Sequence, residues 1–156
     1  MEIKEYKDYV RSFRFEGNVD RTNNRKNYTQ EYFTPSPLVK EMLDKIEKSK
    51  PDIFSDETKT IIDNACGDGQ FLTEVVIRKI ERSSCTLEQA LSTTYGVELI
   101  GQNVIMCRKR LAGLNPTQNI INIVDRNIIK GNAFEFNYDF DNPIFFTNGS
   151  KNTSLM

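Results

Sequence analysis

Ile61-Ile62-Asp63-Asn64-Ala65-Cys66-Gly67-Asp68-Gly69-Gln70-Phe71-Leu72 is the stretch that decides how this chain folds. A short apolar pair runs into an acidic, glycine-bearing turn, which runs into an amphipathic pattern of Phe71, Leu72, Val75, Val76 and Ile80. Strand, tight turn and helix form the unit from which doubly wound α/β domains build a nucleotide-shaped site. Glycine lets the backbone turn sharply and approach a ligand with no Cβ in the way. Asp63 ends the strand, where ligands bind in open parallel sheets. Asp63 and Asp68 would repel phosphate oxygens, so the loop is no phosphate cradle. A cationic or zwitterionic nucleoside suits its charges.

Moving outward, residues 1 to 31 are polar, with a first helical stretch near Lys4 to Arg14 carrying Tyr6, Tyr9, Val10 and Phe13 at helical spacing. Arg21 to Asn27 has three basic residues and no acid, and reads as an exposed loop. A helix then opens with Ser36 as N-cap and Pro37 in first position, placing Leu38, Val39, Met42, Leu43 and Ile46 on one face. Pro51 stops it. Thr60 to Asp63 is the first strand, and the helix after Gly69 runs to about Arg82. Thr86-Leu87-Glu88-Gln89 has the form of a capping box for a short helix through Leu91. Thr93 to Leu99 is a second strand, and Val104, Met106, Cys107 and Leu111 mark another helix. Asn127 to Gly131 supplies a third strand and Ile144 to Phe146 a fourth. This alternation predicts an α/β fold with a mostly parallel, doubly wound sheet of three or four strands, joined by right-handed crossovers.

Composition narrows the function. At 156 residues the chain suits one compact domain with a real core. Its 21 basic and 22 acidic side chains leave a net charge of -1, so no global field draws it to nucleic acid. No apolar run approaches the roughly 20 residues of a membrane span, and no signal peptide opens the sequence. Three widely spaced cysteines, Cys66, Cys85 and Cys107, fit a reducing cytoplasm better than a disulfide framework. With no histidine at all, Ser-His-Asp and Cys-His chemistry are excluded and a zinc site is not expected.

Further segments bear on the ligand. Tyr95-Gly96-Val97-Glu98 ends the second strand in a carboxylate, whose two oxygens can accept both hydroxyls of a ribose. Gly131-Asn132-Ala133-Phe134 follows the third strand, with a polar side chain for a base edge and a ring to pack on it. S-adenosylmethionine is a nucleoside of the required kind, with a sulfonium, an amine and no phosphate. A nicotinamide or flavin site expects Gly-x-Gly-x-x-Gly instead of Asp63-x-x-x-Gly67-x-Gly69.

With Tyr32-Phe33-Thr34-Pro35 one helix and linker upstream, the ordered set resembles the N6-adenine DNA methyltransferases, especially the modification subunits of type I restriction systems and their phage relatives. The resemblance spans about residues 28 to 136. It implies a Rossmann-like methyltransferase fold with an N-terminal helical extension over 1–31, a cofactor domain over 32–148 and a tail over 149–156. It also implies an S-adenosylmethionine pocket. Tyr32, Phe33, Thr34 and Pro35 would close over the methionine end; Asp63, Ala65, Cys66, Gly67, Gly69 and Phe71 would hold the cofactor; Glu98 would bind the ribose, with Asn132 and Phe134 at the adenine.

The sequence also departs from that pattern. Asn64 stands for a proline and Asn132 for an aspartate; the Oδ1 of Asn132 can still accept from an amino group. The family's Asp/Asn-Pro-Pro-Tyr/Phe segment, which takes the target amine and stacks the flipped base, has no counterpart. Asn142-Pro143 precedes the fourth strand and reads as a turn, while Asn148-Gly149-Ser150-Lys151 has neither proline nor ring. No catalytic residue is assigned. Two readings therefore stay open. One is a cofactor-binding enzyme that methylates adenine N6 in DNA. The other is a methyltransferase-like module that binds cofactor or a partner, in a regulatory, anti-restriction or complementing role. The strands and target-recognition domain expected beyond the fourth strand are not found, so an exposed sheet edge predicts self-association or a partner subunit. Arg11, Arg14, Arg21, Arg25 and Lys26, with Phe13, Phe15 and Tyr28, could touch phosphates and stack bases, but Glu16, Asp20 and Glu31 dilute the charge and favour a solvated face over core aromatics.

Overall fold

A computed structural model describes residues 2–20, 34–147 and 150–154, with side chains over 2–13 and 34–143. Helix α1 (Ile3–Asp20) runs six residues past the predicted end at Arg14. Tyr6, Val10 and Phe13 are buried, one helical turn apart, while Tyr9 packs edge-on against Phe13. Helix α2 (Ser36–Ser49) starts one residue earlier than predicted: Pro35 is the N-cap, and its carbonyl accepts from the Val39 N–H at 3.0 Å. Ser36 therefore lies inside the first turn and makes no capping bond. Its buried face is narrower than expected, holding Val39 and Leu43, whereas Leu38 and Met42 are exposed. Two fully buried aliphatic side chains contribute about 1.5–3 kcal/mol each.

The core of the fold is a three-stranded parallel sheet in the order β1 (Ile61–Asp63), β2 (Thr94–Glu98) and β3 (Ile128–Lys130). Asp63 lies opposite Gly96, and Glu98 opposite Lys130. Because the strands are parallel, all three C-terminal ends lie on one edge, and the loops that follow them meet there. Helices α3 (Gln70–Ser83), α4 (Leu87–Ser92), α5 (Gly101–Ala112) and α6 (Gln118–Asn127) connect the strands. The capping box at Thr86 forms as read: Thr86 Oγ1 accepts from the Gln89 N–H at 3.2 Å, and Gln89 Oε1 from the Thr86 N–H at 2.8 Å. Helix α6, not expected from the sequence, is opened by Thr117, whose Oγ1 accepts from the Ile120 N–H at 3.2 Å. It buries Ile120 and Val124.

Polar ties lock the layers. Arg78 of α3 pairs with Asp44 and, at 2.9 Å, with Glu47 of α2, and its guanidinium lies over the Phe54 ring. Lys79 is 1% exposed and donates to Lys59 O at 3.1 Å, Thr93 O at 2.9 Å and Thr93 Oγ1 at 2.7 Å, just ahead of β1 and β2. Burial lowers its pKa to about 8.

The fourth strand exists but not as predicted. β4 (Ile144–Thr147) pairs antiparallel with β5 (Ser150–Ser154) in a separate two-stranded sheet. It does not extend the parallel sheet, so among the described residues β1 has β2 as its only strand partner. Neighbours in sequence can form a hairpin through a short turn, whereas joining β1 requires a long-range parallel pairing.

Candidate functional site

The site is built by the loops at the sheet's C-terminal edge. After β1 the chain makes two left-handed turns, at Gly67 (φ 54°) and Gly69 (φ 87°), and enters α3. A Cβ on Gly69 would stand 2.7 Å from Cys107 Sγ, so this glycine is required by conformation and by space. Asp63 Oδ1 accepts from the Ala65 N–H at 3.1 Å and so starts the turn. Glu98, 9% exposed, fastens two loops together: Oε2 accepts from the Gly67 N–H at 2.8 Å and Oε1 from the Ile100 N–H at 2.9 Å. Each oxygen retains a second lone pair.

These elements enclose a cavity of about 210 Å³ lined by Thr34, Asp63, Ala65, Cys66, Gly67, Asp68, Gln70, Phe71, Glu98 and Asn103. Thr34 is held over it by Gln70, whose Nε2 donates to the Thr34 carbonyl at 2.5 Å. Thr34, Asp63, Ala65, Cys66, Gly67, Phe71 and Glu98 thus line one cavity. Tyr32 and Phe33 lie outside the described residues, and Pro35 is an exposed helix cap beside Thr34. Gly69 shapes the loop from behind. Asn132 and Phe134 follow β3 on the same edge but are not among the lining residues. Asn132 Oδ1 accepts from the Phe134 N–H at 3.0 Å, and the Phe134 ring is 98% exposed.

Three lining residues, Asp68, Gln70 and Asn103, are not in the expected cofactor-binding set. Gln70 directly follows Gly69 as the first residue of α3. Asn103 is a buried polar residue on the stripe that continues through Cys107 and Leu111 of α5. A polar side chain on an otherwise apolar stripe was the available signal.

The charge distribution differs from the expected one. Asp68 is buried and ion-paired with Arg110 at 3.3 Å, so its charge is compensated within the protein. The acidity facing the cavity comes from Asp63 and Glu98. Burial, with the Glu98 carboxylate as a lesser cause, raises the Asp63 pKa, while the Ala65 N–H opposes the shift. Cys66 is turned to the interior, where the neighbouring Cys107 thiol, together with burial, pushes its own thiol pKa up. All three cysteines are free and buried. A larger hollow of about 580 Å³ lies where α1, α2 and α3 meet, but its cations Arg11, Lys40, Arg78 and Arg82 are each ion-paired there. Arg11 makes a two-pronged bond to Glu74 at 3.1 and 3.0 Å, and Phe13 is in the core. Neither presents a phosphate or base contact. Side chains of Arg14 and Phe15, and residues Arg21, Arg25, Lys26 and Tyr28, lie outside the described ones. No cluster of metal-ligating side chains occurs among the described residues, and none of their helices is long and apolar enough to cross a membrane.

No curated protein and no solved structure matches the chain at a significant level. The family model described as N-6 DNA methylase matches residues 16–148, which take in the glycine loop, all three parallel strands and β4. The chain belongs to the N-6 DNA methylase family.

Proposed function

We propose that the cavity at the sheet's C-terminal edge binds S-adenosylmethionine, and that the chain serves methylation of adenine N6 in DNA. The observation that carries this reading is the pairing of two carboxylates, Asp63 and Glu98, across a loop whose left-handed glycines leave no side chain between backbone and ligand. A cavity with two acids and no uncompensated cation among its described lining residues suits a cationic nucleoside and repels phosphate. Asp63 supplies negative charge at the head of the loop. Glu98, already oriented by two backbone N–H groups, has lone pairs left for a vicinal diol. Gln70 fixes the Thr34 backbone as a lip over the opening, and Phe71 is a partly buried apolar wall. When bound, S-adenosylmethionine supplies an electrophilic methyl group. The protein's own residues bind and orient it and shield it from water.

One observation favours a second reading for the acceptor side. β4 pairs with β5 apart from the parallel sheet, and residues 1–156 contain no Asp/Asn-Pro-Pro-Tyr/Phe segment. On this reading the chain holds cofactor, and another subunit presents the group that grips the target base. Incubating the protein with methyl-labelled S-adenosylmethionine and mixed-sequence DNA separates the two. Label in DNA adenine supports the complete enzyme, and cofactor binding without transfer supports the module. Absence of cofactor binding refutes both.

A further inference from the structure

Arg110 of α5 is 1% exposed, yet it makes no part of the cavity. Its Nη1 stands 3.3 Å from Asp68 Oδ2 in the glycine loop, its Nε donates to the Val10 carbonyl of α1 at 3.0 Å, and its guanidinium lies over Phe13 of α1. One side chain therefore touches both the cavity's main loop and a helix of which no described side chain lines the cavity. An apolar residue would serve core packing at lower desolvation cost. What a guanidinium adds is direction: donors fixed in a plane and aimed at two elements at once. A tether at Asp68 suits this loop, because the glycines on either side of it, Gly67 and Gly69, restrict the backbone least. Tyr6 OH bonding to Leu111 O at 2.9 Å, Arg11 bonding to Glu74 and Lys7 pairing with Glu81 hold α1 on the same surface.

We infer that Arg110 is a positioning residue: through Asp68 it couples the docking of α1 to the ligand-binding shape of the glycine loop. This rests on the cofactor reading above. A ligand that fixes the loop then holds Asp68 on Arg110, and Arg110 on α1. By reciprocity, a docked α1 raises ligand affinity by the same factor.

The test measures hydrogen exchange of α1 amides over residues 6–13, and calorimetric affinity for S-adenosylhomocysteine. Both use the full chain as wild type, Asp68→Asn and Arg110→Lys, below the melting temperature of each. In the wild type the ligand should slow α1 exchange at least about fivefold. Asp68→Asn should lose about tenfold in affinity and lose the ligand's effect on α1, while the ligand still protects β2. Arg110→Lys, which retains the charge but not the Nε donor, should recover part of the affinity without the α1 effect. If Asp68→Asn does not fold, the wild-type exchange and Arg110→Lys decide. Ligand binding that leaves wild-type α1 exchange unchanged, or wild-type affinity in Asp68→Asn, overturns the coupling alone. A wild type that does not bind S-adenosylhomocysteine overturns the cofactor reading and the coupling with it.

Discussion

Gly69→Ala probes the loop where structure and ligand meet. The residue has φ 87°, a left-handed backbone that costs an L side chain about 1–2 kcal/mol. Its new Cβ would also fall 2.7 Å from Cys107 Sγ, closer than such atoms approach, and overpacking of this kind costs about 1–3 kcal/mol. Together the substitution should destabilise the protein by about 2–5 kcal/mol, a large part of the roughly 5–15 kcal/mol of an ordinary domain. The two contributions can be separated. In Gly69→Ala/Cys107→Ala the sulfur is gone, and the remaining neighbours, Cys107 Cα and Cβ, stand at an ordinary 3.4 and 3.5 Å. Urea denaturation of the wild type, both singles and the double should therefore give a favourable coupling of about 1–3 kcal/mol, leaving only the backbone cost. Additivity within about 0.5 kcal/mol would show that the close approach to α5 does not dictate glycine here.

Other substitutions address charge and burial. Asp63→Asn should keep or raise the melting temperature, because burial already disfavours the Asp63 charge, while affinity for S-adenosylmethionine falls about 10- to 100-fold, as expected for losing an ionised partner worth about 1.5–3 kcal/mol. A lower melting temperature with intact affinity would reverse both assignments. Lys79 has a folded pKa of about 8, below the ordinary lysine value of 10.5, so between those values the unfolded chain binds more protons and stability rises with pH. Below pH 8 the burial cost is fully present. Compared at each pH with Lys79→Met, which cancels the contributions of tyrosines and cysteines, the wild type should gain relative stability from pH 8 to about 10, and a flat difference would contradict the buried charge. Tyr6→Phe removes the bond to Leu111 O and should cost about 0.5–1.5 kcal/mol in urea denaturation; no change would mean that this bond does not hold α1.

Most of the fold was legible because its signals are local. The glycine loop, the Thr86 capping box and the apolar stripes of α3 and α5 each specify one element within a few residues. Misreadings came where a remote partner decides. Leu38 and Met42 fit the helical period of α2, but Val39 and Leu43, with Ile46 at their flank, meet the core in which Phe54 and Val75 pack. Helix α6 was hidden by its β-branched Ile120, Ile121, Ile123 and Val124, whose strand preference is overridden by packing of its apolar face. Ile144 to Thr147 did form a strand, but composition could not say which strand it would join. At the site, Asp63 and Glu98 were readable as acids ending strands. Asp68 looked equivalent to Asp63 in the sequence, and only Arg110, far along the chain, turns it into an internal ion pair.

The most direct test of the central claim is a calorimetric titration of S-adenosylmethionine into the wild-type chain. A cavity whose acidity is Asp63 and Glu98 predicts saturable binding at one site per chain that weakens as pH falls into the raised range of the Asp63 carboxyl. Absence of binding at millimolar ligand, or affinity indifferent to Asp63→Asn, would contradict it.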